Sequence, residues 1–323
     1  MERDRPIAPA PVLERAAQSF VDTHRCPPAS GPAAHPGLLN GPSAVPGADP
    51  DIEEEWLAVP GEDGERIRVR ILRPAGSEGP LPVVLYLHGL GWMLTDATAH
   101  QSLLTDLVLG ADAAVVIPDY DRPPKARYPV PLEQSYHVAH WIAEQGRDHR
   151  LDGSRIALTG VSGGANLAAA LALLAKDRQG VEFLHQVLVC PVTDARMDTA
   201  SYERFAEGYF LGRDAMHSYW HQYAPDSAER DRITASPLRA GRAQLTGLPP
   251  ALVIVAEADV CRDEGEAYAS ALRDAGVPVA SMRYHGTIHG FVLFDALRDS
   301  AASRAARIQV VDTLHTALHR FGP

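Results

Sequence analysis

The sequence predicts an α/β fold: a mostly parallel central sheet with helices on both faces. Three observations predict it. Short, continuous apolar runs recur along the chain. Such runs are how strands buried on both faces of a parallel sheet read. Segments with helical spacing alternate with them, and the connections between are of ordinary length.

Taken in order, residues 12–24 (Val12, Leu13, Ala16, Ala17, Phe20, Val21) have the spacing of a short helix. The stretch from Cys26 to Pro50 is rich in Pro, Gly and Ala. It has too few large apolar residues to fold alone and reads as a linker or a segment draped on the surface. Arg66 to Ile71 alternates polar and apolar, as a half-buried edge strand would. Strands are then expected at 81–87, 113–117, 155–159, 186–190, 251–255 and 277–283, with helices at about 97–110, 132–146, 164–177, 263–275 and 299–320. Residues 195–245 break the rhythm with an aromatic cluster (Tyr202, Phe205, Tyr209, Phe210, Tyr219, Trp220, Tyr223). Two helices are expected there, one near 213–223 and one before it, outside the sheet. An insertion over about 195–235 would form a helical cap beyond the carboxyl ends of the strands, where open α/β sheets bind ligands. The expected division is an N-terminal helix and Pro-rich segment over 1–50, then a body over 51–323 carrying the cap insertion.

Hydrophobic residues make up 46% and charged residues 22% of the 323, ordinary globular values that allow a substantial core. A net charge of −11 argues against a nucleic-acid partner, which would need clustered Lys and Arg. Met1-Glu-Arg-Asp-Arg has no apolar stretch behind it, and no run of about 20 apolar residues occurs. The expectation is a soluble cytoplasmic protein with no membrane partner. The three cysteines, Cys26, Cys190 and Cys261, match no zinc or redox spacing. Cys190 lies in an apolar run and reads as a buried free thiol, in keeping with a reducing compartment.

Chemistry enters at Gly160-Val-Ser162-Gly163-Gly164, which follows the strand at 155–159 and precedes an Ala/Leu-rich helix. This is G-x-S-x-G in the strand–turn–helix setting that a nucleophilic serine requires. The turn strains the serine backbone and exposes Oγ above the sheet. Large side chains would clash at the flanking positions, hence Gly160 and Gly164. The helix start adds partial positive charge near a developing oxyanion. One oxyanion donor is the N–H of Gly163, and others are expected from the loop Tyr86 to Trp92 after an earlier strand. Leu90 in that loop would be costly at positive φ.

In folds that carry this elbow, the order along the chain is serine, acid, histidine. Of the fourteen histidines, only His185, His217, His221, His285, His289, His315 and His319 follow Ser162. His315 and His319 sit in the last helix, and His217 and His221 in the cap. His285 and His289 are read as sharing one loop after the strand at 277–284. His289, flanked by Gly290 and followed by an apolar run, is the expected base. Asp259 stands just past the strand at 251–255, with Glu257, Asp263 and Asp194 as rivals for the acid. Asp259 could also be a helix N-cap.

Four blocks carry a family resemblance. His88-Gly-Leu-Gly-Trp92 is similar to H-G-G-G-W. Asp119-Tyr-Asp-Arg-Pro-Pro-Lys-Ala-Arg-Tyr128-Pro129 resembles D-Y-R-L-A-P-E-x-x-F-P. Gly160 to Asn166 resembles G-D-S-A-G-G-N. Asp259 to Tyr268, with His289-Gly-Phe291, resembles D-P-L-R-D-E-G-x-x-Y and H-G-F. From about residue 65 to 320 the chain resembles the bacterial hormone-sensitive-lipase-like carboxylesterases, a branch of the α/β-hydrolases. The resemblance implies that Asp259 is the triad acid and that Leu90, Gly91 and Gly163 supply the oxyanion N–H groups. It also implies a cap built from the N-terminal region and the insertion at 195–230, and a homodimer as a common assembly. Val161, Lys125 and Leu90 depart from the residues usual in the family. These departures bear on substrate preference and fine geometry rather than on the triad.

The expected activity is hydrolysis of a small or medium hydrophobic ester through an acyl-enzyme, without metal or organic cofactor. The cap aromatics, with Trp92 and Met93, suggest an apolar pocket. Amide hydrolysis or deacetylation of a small metabolite would use the same site. A non-catalytic small-molecule binder should lack a working triad. A metal enzyme would have to use His217 with His221 or His137 with His140, and no nearby Asp, Glu or Cys pattern completes either pair.

Overall fold

A computed structural model describes residues 10–24, 49–93 and 100–320. Cys26, nearly all of the Pro-rich segment at 26–50 and the first residues of the helix expected at 97–110 lie outside the described residues.

Eight strands form one sheet: β1 (Ile52–Pro60), β2 (Arg66–Pro74), β3 (Leu81–Leu87), β4 (Ala114–Pro118), β5 (Leu151–Val161), β6 (His185–Val189), β7 (Ala251–Ala258) and β8 (Val279–Ile288). Their spatial order is β1-β2-β4-β3-β5-β6-β7-β8. β1 with β2 and β2 with β4 run antiparallel, and every other neighbouring pair is parallel. The helices are α1 (Arg15–Thr23), α2 (Gln101–Ala111), α3 (Val130–Gln145), α4 (Gly163–Asp177), α5 (Ala200–Arg204), α6 (Arg213–Tyr223), α7 (Ser227–Arg230), α8 (Arg242–Leu245), α9 (Arg262–Asp274) and α10 (Ala301–His319). α2 packs with α10 over one face of the sheet, and α3 with α4 over the other. Five of the six apolar runs fall on buried strands, as both-face coverage demands. The run at 277–283 instead falls on β8, the far edge of the sheet, where residues 280–283 are exposed.

Two expectations need correction. The segment at 66–71 is not an edge, because β1 pairs along its full length. β1 opens Ile52-Glu-Glu-Glu-Trp56, a run with no apolar alternation, and was not expected as a strand. Its acids find cations outside the strand itself: Glu54 and Arg70 at 3.0 Å, Glu55 and Arg73 at 2.9 Å, and Glu53 with Arg150. Arg70 and Arg73 are buried, so their charges need these partners. Secondly, β8 continues to Ile288, so His285 lies on the strand and only His289 lies on the loop after it. A register shift between Ala256 and Ala258 accompanies Gly286 at φ +70° and lets the strand run on.

α1 ties the N-terminal segment to the body. Its Phe20 ring lies 4.7 Å from Phe294 and 5.3 Å from Phe210. The Glu14 carboxylate accepts from the N–H groups of Ala301 (2.9 Å) and Ala302 (3.0 Å), and Glu14 N–H donates to the Gly286 carbonyl (2.7 Å). An anion there satisfies orphan donors at the start of α10 and complements its dipole. Among the described residues, no helix is long and apolar enough to cross a membrane.

Candidate active site

β5 delivers Ser162 and α4 leaves from it. Ser162 holds φ 61° and ψ −124°. That conformation costs about 1–3 kcal/mol and persists only where the surroundings impose it. They do so here. The Ser162 N–H donates to the Val189 carbonyl at 2.9 Å. A Cβ built on Gly160 would lie 2.4 Å from the Gly164 carbonyl carbon, and one on Gly164 only 2.0 Å from the Leu87 carbonyl oxygen. α4 can therefore start against β3 only with glycine at these two positions.

The three side chains expected to work together meet. His289 Nε2 is 2.8 Å from Ser162 Oγ, and His289 Nδ1 is 2.8 Å from Asp259 Oδ2. An ionised carboxylate can only accept, so Nδ1 carries the proton and Nε2 presents its lone pair to the serine hydroxyl. Ser162 and His289 are 4% exposed and Asp259 is 1% exposed, so little water competes for these bonds. The N-cap alternative for Asp259 is answered by geometry. The N-cap of α9 is Cys261, whose N–H donates to Asp259 Oδ1 at 2.9 Å. One oxygen fixes the turn and the other holds the imidazole.

The rival acids are engaged elsewhere. Asp194 binds Arg196 and Arg239. Asp263 accepts from Ser201 N–H at 2.8 Å and pairs with Arg262. Glu257 accepts from Gly286 N–H at 2.8 Å and sits 3.1 Å from His285 Nδ1. Among the other histidines, His217, His221 and His315 are exposed. His88 is buried and stacks on Tyr120 at 4.1 Å. Burial pulls its pKa well below the usual imidazole range, so it is neutral at pH 7.

The oxyanion loop follows β3. Leu90, Gly91 and Trp92 all take positive φ, at 66°, 65° and 58°. The strain expected at Leu90 is therefore present, and it extends to Trp92. A left-handed non-glycine residue costs roughly 1–2 kcal/mol. None of the N–H groups of Leu90, Gly91 and Gly163 enters a backbone hydrogen bond among the described residues. Gly163 is the first residue of α4, where N–H groups have no helical partner.

Residues without an expected role also shape the site. Asn166 Nδ2 donates to the Val192 and Ala235 carbonyls (2.9 and 2.8 Å), joining α4 to two loops. It lies within the nucleophile block, which marked it without giving the reason. Glu264 on α9 is fully buried and accepts from Thr193 N–H at 2.7 Å. Burial, with Asp194 and Asp259 nearby, pushes its carboxyl well above the ordinary range. Cys190, at the end of β6, is buried as expected, and burial with Asp259 nearby pushes its thiol up. Cys190, Asp259 and His289 form the one trio of His, Cys, Asp or Glu among the described residues close enough to hold a metal, with donor atoms within 4.8 Å of one another. Two of its members already bind each other. No signal in the sequence placed Tyr219 against the oxyanion loop, yet a Cβ built on Gly91 would lie 2.5 Å from Tyr219 Cδ1.

Known proteins carry the same architecture. The family model described as the alpha/beta hydrolase fold matches residues 84–293. Carboxylesterase NlhH of Mycobacterium tuberculosis is 33% identical over 311 residues, covering 96% of each chain. The crystal structure of a thermostable esterase from Pseudomonas putida aligns with a TM-score of 0.87 at 38% identity, over 97% of this chain and 100% of that one. EstE1, a thermophilic carboxylesterase cloned from a metagenomic library, aligns with a TM-score of 0.78 at 30% identity over 94% of each chain. The chain belongs to the α/β-hydrolase fold family, in the hormone-sensitive-lipase-like branch that its motifs resemble.

Proposed function

We propose that this protein is a carboxylesterase working through an acyl-enzyme on Ser162. The observation that carries the reading is the unbroken relay Ser162–His289–Asp259, with both contacts at 2.8 Å in a buried setting. Ser162 Oγ attacks the ester carbonyl carbon while His289 Nε2 takes its proton. The oxygen of the tetrahedral intermediate is held by the N–H groups of Leu90, Gly91 and Gly163. His289 then gives the proton to the departing alkoxide, leaving the acyl group on Oγ. Water, deprotonated by His289, attacks the acyl carbon and releases the acid. Asp259 fixes the imidazole tautomer and stabilises the imidazolium; it stays ionised throughout. No step calls for a metal or an organic cofactor.

α1 and the segment at 195–235 act as the cap over this machinery. Phe20, Phe210 and Tyr219 belong to it, and all three are buried. Such an enclosure favours a small or medium hydrophobic ester, free in solution rather than attached to nucleic acid or membrane.

The test is Ser162→Ala assayed on short-chain aryl esters. Turnover should fall at least about 10⁴-fold, and a fluorophosphonate should label the native protein and not the variant. Retained turnover would remove Ser162 as nucleophile. Matched ester and amide pairs, run on the native protein, should show the ester preferred.

A further inference from the structure

The oxyanion loop takes an unfavourable backbone shape, and its cause lies outside its own sequence. Three consecutive residues, Leu90, Gly91 and Trp92, are left-handed. Two of them carry bulky side chains that resist that region. Such a conformation survives only when neighbours over-determine it. On the sheet side, Tyr120 Oη donates to the His88 carbonyl at 2.6 Å and fixes the start of the loop. On the other side lies α6, in the segment inserted between β6 and β7.

α6 presents a flat aromatic surface to the loop. Tyr219 and Tyr223 are four apart and so share one helix face. The Tyr219 ring covers Gly91 so closely that a methyl group there would sit 2.5–2.8 Å from three ring atoms. Tyr223 stacks on Trp92 with centroids 4.3 Å apart and planes 3° from parallel. Trp220 fills the adjoining side at 4.8 Å. All four aromatic side chains are buried. Tyr223 is anchored in turn, its carbonyl accepting from Tyr128 N–H at 2.8 Å.

We propose that α6 is a clamp that holds the oxyanion donors in place, with Tyr219 as the positioning residue. The helix that covers the substrate also sets the direction of the Leu90 and Gly91 N–H groups, so cap position and transition-state stabilisation are coupled. This rests on reading those two groups as oxyanion donors. Tyr219 acts on the reaction through Gly91 rather than by touching the proton relay.

The prediction separates a clamp from a pocket wall. Tyr219→Ala should lower kcat on a short-chain aryl ester by about 10- to 100-fold, up to the loss seen when one oxyanion donor is removed. KM should change less than about threefold and the acidic limb of the kcat/KM–pH profile should not move, because the relay is untouched. Tyr219→Phe keeps the ring and should retain activity within about threefold of the native value. Leu90→Gly makes the left-handed conformation free of steric cost, so in that background Tyr219→Ala should lose at least about threefold less. If Tyr219→Ala falls only in KM or stays within twofold in kcat, if Tyr219→Phe loses as much as Tyr219→Ala, or if the Leu90→Gly background changes nothing, the clamp is wrong. Should Tyr219→Ala fail to fold, Tyr219→Leu measured in both backgrounds gives the same comparison. Turnover retained by Ser162→Ala would instead overturn the reading of Ser162 as nucleophile, and the clamp would still be decided by the Tyr219 variants.

Discussion

Two imidazole–carboxylate pairs stand side by side where β7 and β8 end, and they show what separates a catalytic pair from a surface one. His289 and Asp259 meet at 2.8 Å; His285 and Glu257 meet at 3.1 Å. Both join an imidazole to a carboxylate, glutamate in one and aspartate in the other, and along the chain the carboxylates are two positions apart and the histidines four. The surroundings differ completely. The His285 side chain is 71% exposed, whereas that of His289 is 5% exposed. Burial alone would raise the Glu257 carboxyl, but the Gly286 N–H and His285 outweigh it and hold the pKa below the usual range. That pair is a surface contact in the class worth about 0–1 kcal/mol. The second difference is a third partner. His289 Nε2 faces a hydroxyl, while among the described residues no serine, threonine or cysteine is hydrogen-bonded to His285. A carboxylate alone does not make an imidazole a base; exclusion of water and a hydroxyl on its far side are needed as well.

The sharpest way to break this comparison is to remove one member of the inner pair. His289→Ala should lower kcat by roughly 10⁴- to 10⁶-fold at pH 8, and Asp259→Asn by about 10⁴-fold, in steady-state assays on an aryl ester. A loss under tenfold for His289→Ala would transfer the role of base to another group.

A smaller effect tests another carboxyl of this region, Glu264, whose pKa burial and the neighbouring Asp194 and Asp259 raise. Its folded-state pKa is raised, so on increasing pH the unfolded chain loses this proton first. The folded state then loses stability, by at most about 1.4 kcal/mol per pH unit, from the ordinary glutamate range up to the raised value. Glu264→Gln cannot ionise and should escape that loss. In thermal melts, its Tm relative to the native protein should rise between about pH 5 and pH 7. A pH-independent difference would mean that Glu264 is ionised in the fold.

The smallest effect is expected at the outer pair. His285→Ala should leave kcat within about twofold and stability within about 0.5 kcal/mol of the native protein. A large kinetic loss there would erase the distinction between the two pairs.

How far the sequence alone reached follows the same division between local and non-local causes. Ser162 was legible because its strain is created locally: strand, glycine, serine, glycine and helix lie in one short stretch. The buried strands were legible because coverage on both faces leaves a continuous apolar run. β1 was hidden because Glu53, Glu54 and Glu55 become tolerable only when Arg150, Arg70 and Arg73 arrive from elsewhere in the chain. Asp259 could not be separated from Glu257, Asp263 and Asp194 by residue type or position. The family blocks favoured it, and the structure adds the reason, since each rival is already held by a partner of its own. His285 reads as a loop residue with His289, but Gly286 at positive φ lies within β8 and the strand runs on to Ile288. The contact between Tyr219 and Gly91 joins residues 128 positions apart and leaves no mark in either neighbourhood.

The contacts of Glu14 and Phe20 bear on how this enzyme should be handled. A carboxylate from the amino-terminal arm seats the first turn of the last helix, and an aromatic ring from the same arm leans on the segment that follows the catalytic histidine. Trimming that arm, or fusing a bulky tag close to residue 10, is therefore an alteration beside the reaction centre rather than at a remote end. Preparations with different leaders should be compared as if they were active-site variants.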